Sequence, residues 1–417
     1  MKLKNQGTSG RVLEVEIGGK HFSTPARVVN HVEREHENLY FANYSSGLIL
    51  QELPPCEIQE TVVDFDQERV MKLLNKNGEL VSEARFVSSH NRNRPSRLKI
   101  SNIRSTEGTQ WNRDAIELLT IMQLDAKSLD LISVPDPIYN DTQTFDLFDA
   151  YGVARKTLDD VGLNDMRVLP NLDLCREPSD LRVQVKTLLD MGIDAISLRH
   201  RPKSYASMQR VTRLLSDKDV WIHLSGVRKA AVDGTVAAIH IQPLYSIDSI
   251  SAYKGYRPGA MTECLDDGHL AVASSPRLSP DMVSESIIEI KAPAPDPFSK
   301  MARFDASSLG MLTMEQHLAL LGPDLNCRCF LCQGKDVDGF YGYALENGKT
   351  SIPKFRIHQT IHELWASQVE FVNSREKILE TGYNDYLLEK DLIRAHEYDI
   401  EGLVPPGGLD TYQQSLK

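Results

Sequence analysis

The sequence predicts an α/β fold, a (β/α)8 TIM-like barrel with a C-terminal structural zinc-binding subdomain. Short apolar runs of strand type alternate with amphipathic helical patterns, and one strand follows the next after about 20 to 30 residues. Alternation of this kind builds a parallel sheet with helices packed outside it. Near the C-terminus, three cysteines fall within residues 327–332. Such clustering indicates a metal site rather than a spread disulfide framework.

Length and composition set the outer limits. The 417 residues leave room for one large domain with additions, or for two or three ordinary domains. Apolar residues make up 41% and charged residues 25%, a profile typical of globular proteins. The N-terminal segment lacks the apolar core of a signal peptide, and no window reaches the ~18 apolar residues of a membrane span. We therefore expect a cytoplasmic protein without membrane contact.

The formal net charge of −11 argues against a protein that coats nucleic acid non-specifically. Two basic islands interrupt this balance, at residues 85–104 and 199–203. Each island alone is typical of a solvated loop, whereas together they could line a phosphate-contacting rim. The residues that we assign to such a nucleic-acid contact are Arg92, Arg94, Arg97, Arg199, Arg201, Lys254 and Arg257.

The strand and helix patterns can be placed along the chain. Apolar runs predict strands at Leu131–Val134, Met166–Pro170, Ala195–Leu198, Val220–Leu224 and Ala237–Ile241. Helical periodicity predicts helices at Asp180–Met191, Tyr205–Leu215 and Ile357–Phe371. In a barrel of this type, functional residues gather at the C-terminal ends of the strands. The residues that the sequence puts at or beyond such ends are Ser133, Asn171, Ser197, Ser225 and Asp248.

We expect three units along the chain. Residues 1–300 form the catalytic barrel with an N-terminal β-hairpin, residues 301–395 form the zinc-binding subdomain and closing helices, and residues 396–417 form a C-terminal tail. The Pro-rich stretch 291–300 predicts an exposed connection between the first two units.

Cys327, Cys329 and Cys332 form a Cys-x-Cys-x-x-Cys run that can place three thiolates around one ion. The alternative is three buried thiols without a metal, which such close clustering makes the weaker interpretation. A structural zinc site takes four protein ligands in a tetrahedron, so a fourth donor must come from elsewhere. His358 and His362 lie one helical turn apart in the predicted helix, and both are candidates.

The cysteine run, 25 further residues and then His358 resemble the zinc signature of the tRNA-guanine transglycosylase family. This resemblance selects His358 over His362 as the fourth ligand. Upstream, WIHLSGVR (residues 221–228) and YSIDSISAYKGYRP (residues 245–258) are similar to the family's segments around its nucleophilic aspartate. Together with a similar opening hairpin, the resemblance runs from about Gly10 to His362.

The resemblance implies a pentosyltransferase that exchanges a base in a nucleic acid by the logic of a retaining glycosidase. Asp248 falls on the family's nucleophile, which attacks C1′, expels guanine and holds the nucleotide covalently until the incoming base arrives. The zinc ion, one per chain, is then structural because four protein ligands leave no open position. Expected contacts to the substrate come from Ser101, Ser133, Asn171, Ser197, Ser225 and Gly226.

Two departures from the family pattern point to a divergent branch. Where the family carries an Asp-Ser-Gly motif with its second catalytic aspartate, residues 98–106 (LKISNIRST) keep Ser101 but have no aspartate. The family's Val-Gln-Gly base-reading strand is replaced by Leu-Pro-Asn at residues 169–171. The chain therefore looks like the DNA-guanine transglycosylases of bacterial 7-deazaguanine modification systems. This implies exchange of guanine in DNA for 7-cyano-7-deazaguanine, with other proteins of such a system as partners.

Base exchange also needs a general acid/base, which the missing aspartate leaves unassigned. Asp136, in Ser-Val-Pro-Asp-Pro, is a candidate for this role or for reading the base, and a turn or capping aspartate is the equal alternative. His90 and His240 are weaker candidates. Two other functions stay open: a tRNA-guanine transglycosylase of the queuosine or archaeosine type, and a catalytically inactive paralogue that serves as a nucleic-acid-binding subunit.

Overall fold

A computed structural model describes most of the chain, and the structural statements below concern that part. The described residues are 1–7, 10–44, 56–75, 96–106, 108–126, 129–135, 145–174, 178–200, 205–227, 242–252, 301–346 and 349–390. The expected strand at 237–241, the linker at 291–300 and the tail at 396–417 lie outside these ranges.

The chain opens with a small antiparallel sheet and continues into a closed barrel. The opening sheet consists of β1 (Lys2–Gly7), β2 (Gly10–Ile17) and β3 (Lys20–Ser23). Eight parallel strands follow: β4 (Ala26–Asn30), β5 (Ile58–Phe65), β6 (Leu98–Ser105), β7 (Leu131–Val134), β8 (Arg167–Asp173), β9 (Ala195–Arg199), β10 (Trp221–Val227) and β11 (Ser249–Ala252). Because β11 pairs in parallel with β4, the ring closes. The predicted (β/α)8 barrel is thereby confirmed.

Helices alternate with the barrel strands and pack outside them. They are α1 (His31–Tyr44), α2 (Gln67–Asn75), α3 (Arg113–Asp125), α4 (Leu147–Asp160), α5 (Pro178–Asp190) and α6 (Tyr205–Leu215). Outward-facing strand residues such as Ile132, Ile196 and Ile222 join the helices in one large apolar core. The strand predicted at 131–134 and the helix predicted at 205–215 match the structure residue for residue.

The interior of the barrel changes from apolar to polar along the strands. At its N-terminal end, residues such as Leu98, Ile100 and Trp221 cluster with Leu13 and Phe22 of the opening sheet. The opening sheet therefore packs against this end as an apolar floor. Further along the strands, the buried positions are polar; they include Glu60, Asn102, Asn171, Ser197, His223 and Ser225. The polar end is the C-terminal one, where barrels of this type carry their functional residues.

Asp248 lies at the apolar floor, not at the polar end. It precedes β11, and its backbone N–H bonds the carbonyl of Ile222 at the start of β10. Its carboxylate is fully buried and accepts hydrogen bonds from the Arg11 guanidinium through both oxygens, from Thr24, and from the N–H of Ile222 at 2.7 Å. The prediction of Asp248 as a nucleophile at a C-terminal strand end is therefore wrong: this carboxylate anchors the opening sheet.

A second module follows the barrel and returns to it through a long helix. Its elements are β12 (Ala302–Asp305), β13 (Gly310–Thr313), α7 (Met314–Leu321), α8 (Val337–Tyr341), β14 (Leu345–Glu346), β15 (Lys349–Thr350), α9 (Ile352–Thr381) and α10 (Asp385–Leu388). Helix α9 packs against α1 and β4, where the helix after the eighth barrel strand belongs. Gln368 of α9 accepts a hydrogen bond from the backbone N–H of Arg27 in β4 at 3.1 Å.

At 30 residues, α9 has the length to cross a bilayer. Its sequence is too polar for that, and none of the other described helices is both long and apolar enough.

The buried ion pair between Arg11 and Asp248 predicts a large stability effect. Asp248→Asn keeps the shape of the side chain but leaves the Arg11 charge buried and uncompensated, which should lower the free energy of unfolding by about 3–5 kcal/mol. Asp217→Asn, which breaks an exposed pair with Lys218, is the matched control and should cost less than about 1 kcal/mol. Urea unfolding measures both, and equal effects would contradict the anchoring role.

Candidate functional site

Three cysteines and one histidine of the second module lie together. The ligand atoms of Cys327, Cys329, Cys332 and His362 are all within 4.8 Å of one another, and all four residues are buried. The Nδ1 atom of His362 is 3.3 Å from the sulfurs of Cys329 and Cys332 and 3.6 Å from that of Cys327. These four donors could bind one metal ion.

The surroundings prepare His362 for this role. Its Nε2–H donates to the backbone carbonyl of Phe304 at 2.6 Å, which leaves the lone pair of Nδ1 facing the sulfurs. The cysteine loop is held by hydrogen bonds from the N–H groups of Cys332 and Gln333 to the carbonyl of Cys329. Gly334 leaves the loop with φ of 72°, a conformation that favours glycine. The residues thus fit a four-coordinate metal.

His358, which the resemblance selects as the fourth ligand, is not part of this cluster. Its Nδ1 bonds the carbonyl of Lys354 at 2.8 Å, and its ring stacks on Tyr343 with centroids 4.3 Å apart. Four residues displace a side chain by about 6 Å along a helix, and the cysteine loop lies level with His362. The choice of His358 is therefore corrected to His362.

A separate cleft opens at the polar end of the barrel. It is open to solvent and lies beside the C-terminal ends of β6, β8 and β9. Its lining residues are Asn102, Ile103, Arg104, Ser105, Asn171, Leu172, Asp173 and Arg199. The cleft therefore combines two guanidinium groups, one carboxylate and two amides at the position where such barrels carry their sites.

The polar groups of the cleft are held in place by the strands. Asp173 and Arg199 face each other in the register of β8 and β9, and Nη1 of Arg199 donates to the carbonyl of Ser105 at 2.8 Å. The amide of Asn171 donates to the carbonyl of Ile103 at 2.5 Å. Its Oδ1 atom is buried and has no hydrogen-bond partner among the described residues. A buried acceptor of this kind is costly unless a ligand or water fills it.

Gly226 allows Arg104 to take its position. Arg104 donates through Nη2 to the hydroxyl of Ser225. A Cβ atom on Gly226 would stand 3.0 Å from Nη2 and 3.2 Å from Nη1 of Arg104. Gly226 also has φ of 78°, which side chains disfavour. A side chain at position 226 would therefore strain the backbone and push the Arg104 guanidinium away by a few tenths of an ångström.

Below the cleft, Glu60 places a buried carboxylate in the polar part of the barrel interior. Its Oε1 accepts hydrogen bonds from Asn102 at 2.6 Å, Ser225 at 2.5 Å and His223 at 3.1 Å. Burial alone would raise the pKa of Glu60, but the imidazole of His223, the charge of Arg104 and these hydrogen bonds lower it to about 2. The negative charge of Glu60 attracts the guanidinium of Arg104. Glu60 also fixes the hydroxyl of Ser225, which accepts a hydrogen bond from Arg104.

The structure brings four of the six predicted substrate residues to this region. Ser197 accepts a hydrogen bond from Asn102 at 3.1 Å, and Asn171, Ser225 and Gly226 surround the groups just described. The other two are structural. Ser101 donates to Gln123 on α3, outside the barrel, and the hydroxyl of Ser133 accepts from the backbone N–H of Ile103 at 2.8 Å.

Two of the predicted nucleic-acid contacts can be compared with the structure. Arg199 lines the cleft. Arg97 instead forms a buried two-bond ion pair with Glu37, at 2.8 and 2.9 Å, so its assignment to a nucleic-acid contact is wrong. The remaining candidates lie outside the described residues: Asp136, His90, His240, Arg92, Arg94, Arg201, Lys254 and Arg257.

Sequence reasoning missed Glu60, Asn102, Asp173 and His223, and it placed Arg104 only within the basic island 85–104. The signal was present in β6, where every second residue lies on the same face. Along that face the side chains change from apolar, at Leu98 and Ile100, to polar, at Asn102 and Arg104. Alternation of period two marks one face of a strand. This pattern would have identified the inward face of β6 if the boundaries of the strand had been known.

Comparisons with known proteins identify no family for this chain. No protein-family model and no curated protein matches the sequence. Among solved structures, a 3-dehydroquinate dehydratase from Geobacillus kaustophilus is similar with a TM-score of 0.35 and 10% identity, covering 69% of this chain and 100% of that one. The type I enzyme from Clostridium difficile gives 0.33 and 12%, covering 51% and 80%. A tryptophan synthase α-subunit from Pyrococcus furiosus gives 0.32 and 11%, covering 60% and 88%. Likeness this distant says nothing about reaction or substrate.

The two histidines of α9 make a matched pair for testing the metal site. His362→Ala should remove one of four ligands and lose the bound metal, whereas His358→Ala should keep it. Elemental analysis after dialysis against a weak chelator measures the metal per chain. The reverse pattern, with metal lost only in His358→Ala, would restore the ligand set that the resemblance implies.

The Glu60 carboxylate predicts a pH effect on stability. Its pKa is about 2 in the folded protein, against about 4.3 in an unfolded chain. A depressed pKa stabilises the folded protein above about pH 4.3, and this contribution, roughly 3 kcal/mol at most, is lost as the pH falls towards 2. The free energy of unfolding in urea should therefore fall more steeply for the wild type than for Glu60→Gln below about pH 5. Metal loss in acid affects both proteins alike, and parallel profiles would refute the buried charge.

Proposed function

We propose that this chain is a guanine transglycosylase that acts on DNA, and that the barrel cleft binds the exchanged base. The observation that carries the proposal is the grouping of Asp173 with Arg104 and Arg199 around one space. Guanine offers the acceptors O6 and N7, which a guanidinium fork matches, and the donors N1–H and N2–H, which a carboxylate accepts. Adenine would set its amino group against the guanidinium groups, so the same cleft disfavours it.

Further groups of the cleft support a purine base as the ligand. Oδ1 of Asn171, which has no hydrogen-bond partner within the described ranges, offers a second acceptor for an N–H donor. The base 7-cyano-7-deazaguanine keeps the N1–H, N2–H and O6 groups of guanine, so one cleft can hold both the leaving and the incoming base. A guanine in duplex DNA has to leave the stack to reach such a cleft.

The covalent step cannot use Asp248, because its carboxylate is buried against Arg11 at the opposite end of the barrel. Exchange with retention needs a carboxylate at C1′. Asp136 follows β7 in the sequence, and we propose it for the acid/base role or for contact with the base. Asp173 is proposed as the acceptor that reads the guanine edge.

A second function is favoured by the structural role of Asp248. A chain whose aligned nucleophile serves as an anchor could bind a nucleic-acid base without exchanging it. It would then act as the binding subunit of a larger system, with catalysis supplied by a partner protein.

For the metal centre, we propose one structural zinc ion. Three thiolates and one imidazole are the ligands that structural zinc sites use, and four protein ligands leave no position for a reacting water. The proposed zinc therefore stabilises the second module and takes no part in base exchange.

The test is incorporation of labelled guanine into duplex DNA and into bulk tRNA, measured in parallel. Label in DNA alone is the predicted result. Label in tRNA alone would transfer the proposal to the tRNA enzymes. A third outcome is that neither polymer is labelled, even with partner proteins present, while guanine still binds. The binding-subunit function would then replace the proposed transglycosylase function.

Two variants address the cleft, each with a matched control. Asp173→Asn should weaken guanine binding by about 10- to 100-fold, since one donor–acceptor pair is lost, whereas Asp165→Asn in an exposed loop should leave it unchanged. Gly226→Ala should weaken binding by displacing Arg104, whereas Gly152→Ala, which meets no atom within 4 Å, should not. Calorimetric titration measures the affinities for guanine. If the four variants bind guanine equally well, the base does not bind in this cleft.

A further inference from the structure

Arg303 lies against the cysteine cluster of the second module, far in sequence from the barrel cleft. It is 2% exposed on β12, and its Nη2 donates to the sulfur of Cys332 at 3.2 Å. Its guanidinium carbon also lies 5.0 Å from the centre of the Phe340 ring. A buried cation is thus held directly beside one of the proposed metal ligands.

The other neighbours of Arg303 satisfy it poorly. Asp305 lies 3.8 Å from Nη1, too far for a hydrogen bond. Oδ2 of Asp305 already accepts hydrogen bonds from Ser307 and Ser308. The Nε and Nη1 atoms of Arg303 have no hydrogen-bond partner among the described residues. A guanidinium in this state is costly to bury unless further negative charge lies beside it.

A metal held by this cluster supplies that charge. One divalent zinc, three thiolates and a neutral imidazole carry a net charge of −1. In a buried site this charge attracts a nearby cation strongly, whereas charges in water are screened. The neighbouring cations Arg328 and Lys335 are exposed. Within the described part of the chain, Arg303 is the buried cation that contacts a ligand sulfur.

We propose that Arg303 is the counter-charge of the metal–thiolate centre and the residue that keeps Cys332 chemically unreactive. A charged N–H group that donates to a thiolate withdraws electron density from the sulfur lone pair that would attack an electrophile. The centre is then a stable structural site, not a reactive or redox-sensing thiol site. This proposal rests on the zinc ion proposed above and is independent of the function proposed for the barrel.

The test compares two substitutions of Arg303 in the zinc-loaded full chain. Arg303→Lys keeps the charge, whereas Arg303→Gln keeps a hydrogen-bond donor without the charge. Arg328→Gln removes the exposed cation between the first two cysteines and is the matched control. Iodoacetamide is the probe: a cysteine sulfur displaces iodide, so that an S–C bond forms as the C–I bond breaks. Mass spectrometry of the digested protein reports which cysteine reacts first, and a chromogenic chelator follows zinc release.

Arg303→Gln should react and release zinc about 10-fold faster than the wild type or more, with Cys332 as the first cysteine modified. Arg303→Lys and Arg328→Gln should stay within about threefold of the wild type. Equal rates in all four proteins would overturn the proposal. A uniform rise at all three cysteines in both Arg303 variants would also overturn it, because lost packing rather than lost charge would explain it. Absence of metal from the purified wild type would do the same.

Discussion

The ion pair between Arg11 and Asp248 links the opening sheet to the last strand of the barrel. Arg11 donates to both carboxylate oxygens and also to the carbonyls of Leu215 and Val220. One side chain thus satisfies a carbonyl at the end of α6, a carbonyl just before β10 and the carboxylate just before β11. The opening sheet fills this end, and the polar groups of the interior lie towards the opposite end. The position of the cleft follows from this arrangement.

The metal cluster and the barrel meet through α9. His362 faces the three cysteines, and the next residue, Glu363, lies 4.0 Å from the buried Arg27 of β4. Arg27 is also paired with Glu33 of α1. A single helix therefore carries a proposed metal ligand and a charge that contacts the first barrel strand. Since β4 closes the ring with β11, a metal at this cluster would stabilise the barrel as well as its own module.

The barrel could be predicted because its signal is repeated. Alternation of strands and helices recurs along the chain, so an error at one boundary does not change the fold class. The cysteine cluster could also be predicted, because its spacing is local. Its fourth ligand could not, because His358 and His362 differ by one helical turn, and only the packing of α9 decides which one lies level with the sulfurs.

The barrel site was harder to predict because it depends on the parity and direction of single strands. Ser101 and Asn102 are neighbours, yet Ser101 bonds Gln123 outside the barrel and Asn102 bonds Glu60 inside it. A shift of one residue reverses the face. Asp248 was misplaced because an expected strand before it made it look like a residue beyond a strand end, whereas β11 begins after it. Glu60 was hidden within IQETVVDF, because both faces of a barrel strand are buried and neither shows a clean alternation.

A crystal structure of the protein with 7-cyano-7-deazaguanine tests the central claim most directly, since it locates the base without requiring turnover. The predicted result is the base in the cleft at the C-terminal end of the barrel, with its N1–H and amino group towards Asp173 and its O6 towards Arg104 or Arg199. An empty cleft at saturating concentration of the base, or the base bound beside Asp248, would contradict it.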